Sequence, residues 1–137
     1  MAGYSGTSLS KKLGIKEHFR MCVNNEPKEY LELLTPLPSN VIITTKASVD
    51  LNIWHFFTKS SEELRKRLPE MMRQIRKDGM IWVSWPKKSS KVKTDVTEDV
   101  IRSIALPLGL VDVKVCAIDD IWSGLKLVIR KEKRNDF

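Results

Sequence analysis

Between Pro86 and Asp95 the chain reads PKKSSKVKTD, a stretch in which Lys87, Lys88 and Lys91 supply positive charge and Ser89, Ser90 and Thr94 supply hydroxyl donors. The residues that follow are expected to open a helix, and the first N–H groups of a helix have no partner within it. Cations, hydroxyls and free N–H groups gathered in one place suit a phosphate, a sulfate or a carboxylate. They bind an anion without specifying a reaction. The competing reading is a solvated basic loop in which Thr94 and Asp95 merely cap the helix. Asp95, Glu98 and Asp99, close to the helix start, would oppose an anion there.

Other chemistry-bearing residues narrow the choice. Trp85 and Trp122 each stand next to an expected strand end, one followed by Pro86, Lys87 and Lys88 and the other by Ser123 and Gly124. Both indoles are expected to wall the same pocket, with Ser123, Gly124 and Tyr4 of the N-terminal GYSG segment beside them. Trp54 and Trp82 are expected in the core. His18 and His55 are the only histidines, neither with a second ligand at metal spacing, so no metal site is expected. His55, within LNIWHFF, reads as a hydrogen-bonded core residue and not as a general base. Ser84, Ser89, Ser90 and Ser123 lack a nucleophile-elbow setting, and no catalytic residue is assigned. The six glycines stand at positions 3, 6, 14, 79, 109 and 124, none in the turn after the first strand, and there is no Walker A loop. Because glycine lets a main chain crowd a phosphate, no nucleotide cofactor is predicted.

The elements that position these groups follow from periodicity. Thr7 or Ser8 caps a short helix bearing Leu9 and Leu13, which Gly14 stops. Arg20 to Asn24 reads as a strand, followed by a helix with Pro27 at its first position and Tyr30, Leu31 and Leu34 on one face. Pro36 and Pro38 end it. Val41 to Thr45 and Leu51 to Phe57 both read as interior strands. Ser60 and Glu63 form a capping box for a helix through Leu64, Leu68, Met71, Met72 and Ile75 up to Gly79, with a kink or restart expected at Pro69. Met80 to Trp85 is a third apolar strand. Asp95 with Glu98 is expected to cap a helix carrying Val96, Val100, Ile101 and Ile104, stopped by Pro107 and Gly109. Alternating residues from Val111 to Ala117 and from Leu125 to Ile129 close the chain as a hairpin.

Strands alternating with helices predict a three-layer α/β domain over residues 1–137, with a mostly parallel sheet and an antiparallel C-terminal strand pair. Residues 1–15 form an arm packed on it and 131–137 a charged tail. That order resembles a degenerate Rossmann-like methyltransferase fold, whose last two strands form such a pair. The formal charge of +7 favours acidic partners, although seventeen acids are interleaved with the basic residues. Cys22 and Cys116 read as reduced thiols, and neither a signal peptide nor a membrane-length apolar run is found, so the expected location is the cytoplasm.

Three blocks, GYSGTSLSKKLGIK, WVSWPKKSSKVKTDVTEDVIR and LGLVDVKVCAIDDIWSGLKLVIRK, closely resemble the bacterial family known as domain of unknown function 3052. The resemblance implies a small bacterial cytoplasmic protein with no established activity, and hence no catalytic residue to carry over. The expected function is a non-enzymatic or regulatory binding module for an anionic small molecule or an acidic protein segment. An enzyme on a methyltransferase-like fold with an atypical cofactor cleft is the alternative. Nucleic-acid binding is the second, without a familiar motif behind it, and no membrane partner is expected.

Overall fold

The computed structural model describes residues 7–136. Six strands form one sheet in the order β2-β1-β3-β4-β6-β5, made of β1 (Arg20–Asn24), β2 (Ile42–Thr44), β3 (Leu51–Phe57), β4 (Ile75–Pro86), β5 (Leu110–Ala117) and β6 (Trp122–Ile129). The pairs β1–β2, β1–β3 and β3–β4 are parallel, while β4–β6 and β5–β6 are antiparallel. Helices α3 (Ser61–Gln74) and α4 (Glu98–Leu108) pack on one face with Trp54, Phe56, Val83, Leu125 and Leu127. The short helices α1 (Leu9–Leu13) and α2 (Tyr30–Leu34) pack on the other with Ile53, Phe57 and Trp82. The result is the expected mixed α/β architecture, with a mostly parallel sheet between two helical layers.

The interior strands are those with apolar residues on both faces. Leu51–Phe57 buries six of its seven residues, and Ile81 to Trp85 are all buried. Val41 to Thr45 departs from expectation, because β2 is an edge strand and Ile42 is 58% exposed. A β-branched run suits a pleated strand wherever it lies in a sheet, so the composition alone does not separate edge from centre. Ile75 also departs, since α3 ends at Gln74 and Ile75 instead pairs with Leu51 at the start of β4. Gly79 is not a helix stop. It lies inside β4, where a Cβ would come within 3.0 Å of the carbonyl oxygens of Leu51, Asn52 and Arg76.

Helix ends show which side chains hold the chain in place. Ser8 accepts from the Lys11 N–H and Gly14 closes α1 at φ 81°, as expected. Ser60 accepts from the Glu63 N–H, and α3 then runs as one helix through Pro69. Asp95 does not cap α4. Its carboxylate accepts from the Ser61 N–H at 2.8 Å and the Ser61 hydroxyl at 2.6 Å, so it secures the start of α3. Thr97 caps α4 by accepting from the Val100 N–H at 3.2 Å. Pro107 lies within α4, which Gly109 closes at φ 102°. Pro27 precedes α2 in a turn, its carbonyl accepting from the Tyr30 N–H.

A polar network crosses the core on the α1/α2 side. His55 is fully buried, with Nδ1 2.7 Å from the Tyr30 hydroxyl and Nε2 2.7 Å from the Ser84 hydroxyl. Phe57 stacks on its ring at 4.2 Å between centroids. Burial pushes the His55 pKa down to about 3 and the Tyr30 pKa up. His55 is therefore the satisfied core histidine that its sequence setting predicts, with both ring nitrogens occupied. Gly124 is a further requirement of this region, because a Cβ there would meet Trp82, Ile118 and the Ser84 hydroxyl at 3.1 to 3.2 Å.

Candidate functional site

β4 delivers Trp85 and Pro86 to the carboxyl edge of the sheet, and the next turn is fixed by its own polar groups. The Lys87 N–H donates to the Ile121 carbonyl at 2.8 Å. Lys88–Ser90 forms a 3₁₀ turn in which the Ser90 hydroxyl donates to the Lys87 carbonyl at 2.7 Å and accepts from the Val92 N–H at 3.2 Å. Lys91 ends that turn in the left-handed region, at φ 61°. The Thr94 hydroxyl then donates to the Lys59 carbonyl at 2.8 Å and accepts from the Val96 N–H at 3.0 Å. The loop is thus tied to the β3–α3 connection before α4 begins.

Beneath the loop lies a hollow of about 660 Å³. Lys87, Lys88, Lys91 and Lys93 line it together with Trp85, Val92 and Val96, and Ser123 and Thr94 line it too, the Thr94 hydroxyl being already bonded to Lys59 and Val96. Six of the residues singled out from the sequence therefore meet there: Trp85, Lys87, Lys88, Lys91, Thr94 and Ser123. Ser89 and Ser90 do not line it, Ser90 being committed to the turn. Gly124 is buried beneath Ser84 and Trp82, and Trp122 faces a different cleft. Tyr4 and the segment from Gly3 to Gly6 lie outside the described residues. Lys93 and Val92 were not singled out, and Glu98 was read only as a charge opposing an anion.

Glu98 also lines the hollow, and its charge is already countered. The Arg102 guanidinium bonds to Glu98, to Asp99 at 3.2 Å and to Asp112 at 2.9 Å. Hydrogen bonds to Asp112 and Glu98 raise the Arg102 pKa, and the bond from Arg102 lowers that of Asp112. None of Lys87, Lys88, Lys91 and Lys93 forms an ion pair among the described residues. The electrostatic balance of the hollow is accordingly positive.

A second cleft, of about 480 Å³, opens at the carboxyl ends of β1 and β3. The strand order reverses between these two strands, which is where open α/β sheets bind ligands. Asn25, Glu26, Pro27, Phe57, Glu63 and Trp122 are among its lining residues. Asn25 adopts φ 61° and its amide donates to the Phe57 carbonyl at 3.1 Å. The Thr58 hydroxyl donates to the Glu63 carboxylate at 2.7 Å. Trp122 meets Phe57 edge to face at 5.1 Å. The described residues contain no group of three or more His, Cys, Asp or Glu side chains placed to hold a metal. They contain no helix long and apolar enough to cross a membrane.

The fold as a whole is similar to that of solved methyltransferases. A SAM-dependent O-methyltransferase from Thermotoga maritima matches with a TM-score of 0.60 at 7% identity, covering 89% of this chain and 63% of that one. A SAM-dependent methyltransferase from Aquifex aeolicus matches with a TM-score of 0.59 at 14% identity, covering 87% of each chain. Magnesium protoporphyrin IX methyltransferase from Synechocystis, solved with bound SAH, matches with a TM-score of 0.50 at 14% identity, covering 72% of this chain and 54% of its own. The chain thus spans little more than half the length of the Synechocystis enzyme. At such identities the likeness is one of fold. A search of curated proteins finds no match. The family described as "Protein of unknown function (DUF3052)" matches residues 42–131, and the chain belongs to it.

Proposed function

We propose that this protein is a binding module for an anionic small molecule with an apolar body, taken up in the hollow beneath the Lys87–Lys93 loop. The observation that carries this reading is the hollow's lining: four lysines that form no ion pair among the described residues stand around Trp85, Val92 and Val96. Lysine ammonium groups hold phosphate or carboxylate as point charges, and the apolar floor selects for a ligand that is more than an inorganic ion. Each charge-assisted hydrogen bond contributes about 1.5–3 kcal/mol. Phenyl phosphate is a suitable probe, read by Trp fluorescence and calorimetry. Lys87→Ala combined with Lys88→Ala should abolish its binding and leave the melting temperature nearly unchanged, since Lys88 is exposed, Lys87 is half-buried, and neither side chain forms an ion pair among the described residues. Undiminished binding in that double variant would overturn the proposal.

The fold neighbours favour a second reading, S-adenosylmethionine chemistry at the cleft between β1 and β3. The residues present do not suit that group. No glycine occurs between Gly14 and Gly79, so the turn after β1 presents Asn25, Glu26 and Pro27 where a nucleotide needs bare main chain. Asn25 is also bonded to Phe57. The proposal therefore assigns no cofactor and no catalytic role. Saturable binding of S-adenosylmethionine that is lost in Asn25→Ala would restore the enzyme reading.

A further inference from the structure

The β5 end of the sheet carries an unfinished surface, independent of the hollow. β5 is an edge strand, so among the described residues one row of its N–H and C=O groups has no neighbouring strand. A register shift falls between Asp112 and Lys114, and Lys114 to Ala117 then run in regular pairing with β6. Lys114 stands directly opposite Lys126. Leu125 and Leu127 point into the α3/α4 core, so Lys126 and Lys114 share the opposite face of the sheet. Like charges placed directly opposite destabilise a strand pair.

Two more lysines converge on that face from α1 and the residues after it. The charges of Lys114 and Lys16 reach Lys126, and those of Lys114 and Lys12 reach Cys116, which lies on the same face opposite Gly124. Among the described residues Lys16, Lys114 and Lys126 form no ion pair. On the other side of the same strand, Val115 is 46% exposed. Open backbone, a lysine face and an exposed valine thus occur together on one short edge.

We propose that the Lys114–Ala117 edge docks an extended, acidic segment of a partner protein. The segment's backbone adds a strand beside β5, as in other sheet-edge recognition. Its carboxylates, at every second residue, meet the lysine face, while the intervening apolar side chains lie against Val115. A nucleic acid would engage the lysines alone and leave the open backbone row and Val115 unused, which is why a protein segment is favoured.

The test uses a fluorescent octapeptide alternating Glu and Val, the same peptide N-methylated at alternate residues, and a twelve-residue oligothymidine. The alternating peptide should bind, and N-methylation should weaken binding at least tenfold because it removes backbone donors. Lys16→Glu with Lys114→Glu should also weaken it at least tenfold without lowering the melting temperature, since Glu at position 114 would face Lys126. Phenyl phosphate binding to the hollow should be unaffected by that double variant, so failure here is distinguishable from failure of the proposed function. Equal binding of the methylated peptide, tighter binding of oligothymidine, or no peptide binding at all would each overturn the proposal.

Discussion

The two openings at the carboxyl edge of the sheet lie side by side yet differ in what their side chains have left to offer. In the cleft between β1 and β3, Asn25 is bonded to Phe57, Glu63 to Thr58, and Trp122 packs edge-on to Phe57. In the hollow beyond β4, four lysines that form no ion pair among the described residues stand around an apolar floor. The cleft sits where the sheet topology favours a ligand, while the hollow holds the uncommitted charge. Position in a fold and capacity to bind are therefore separate properties in this chain, and the side chains decide between them.

The sharpest way to break this comparison is to attack the support of the cleft. Phe57 rests on His55, whose pKa is lowered by burial from 6.5 to about 3. The unfolded chain binds a proton at this site as pH falls below 6.5, whereas the folded chain does not until about pH 3. The stabilisation is thus fully present above pH 6.5 and is lost as the medium is acidified, at about 1.4 kcal/mol per pH unit. Two units below the onset the loss should reach roughly 3 kcal/mol. Urea unfolding at pH 7 and near pH 4.5 should show that loss in the wild type, and His55→Gln should flatten it while lowering stability at neutral pH. A wild-type stability that stays constant across this range would show that His55 is hydrated and the cleft floor is not rigid.

A smaller effect should appear where the two regions are joined. Asp95 follows the lysine loop but holds the Ser61 N–H and hydroxyl at the start of α3, next to the cleft residue Ser60. Those bonds lower its pKa. Its stabilising contribution is therefore complete above the ordinary carboxylate range and is lost as pH falls through the lowered folded-state value. Asp95→Ala should lower the melting temperature at pH 7 and weaken phenyl phosphate binding by loosening the loop. The stability difference from wild type should shrink in acid, below the ordinary carboxylate range, as the native carboxylate protonates. A difference that persists unchanged in acid would mean that the side chain acts through packing alone.

Asp95 also marks where sequence reading stops. Its spacing to Glu98 satisfies a capping box, yet its partner is Ser61, thirty-four residues away, and Thr97 serves as the cap instead. Local spacing cannot distinguish two helix starts that the sheet brings together. By contrast β3 and the Met80 to Trp85 part of β4 were legible, because continuous apolar runs such as LNIWHFF need cover on both faces, whereas Ile75 to Gly79 read as the end of a helix. The basic loop was legible as a cluster of charge, and its apolar floor only in part: Trp85 was named, while Val92 and Val96 become floor only once the loop folds over them. Trp122 and Ser123 illustrate the limit best. They are adjacent in sequence, and strand alternation sends them into different openings.

The smallest effect tests the hollow itself, at Lys91. A lysine held at φ 61° is in a region where a Cβ crowds the following carbonyl oxygen, a strain that glycine does not have. Lys91→Gly relieves that strain, partly offset by the greater freedom of glycine in the unfolded chain, so stability should rise by about 0.5 kcal/mol. If the ammonium of Lys91 belongs to the anion site, phenyl phosphate should bind several-fold more weakly to this more stable variant. Lys91→Ala provides the control, because it removes the same charge while keeping the strain, and it should weaken binding equally without the gain in stability. Denaturant midpoints and titrations on the two variants separate the cases: unchanged binding in both would place Lys91 in solvent, and only a loss of binding alongside a gain in stability supports strain maintained for function.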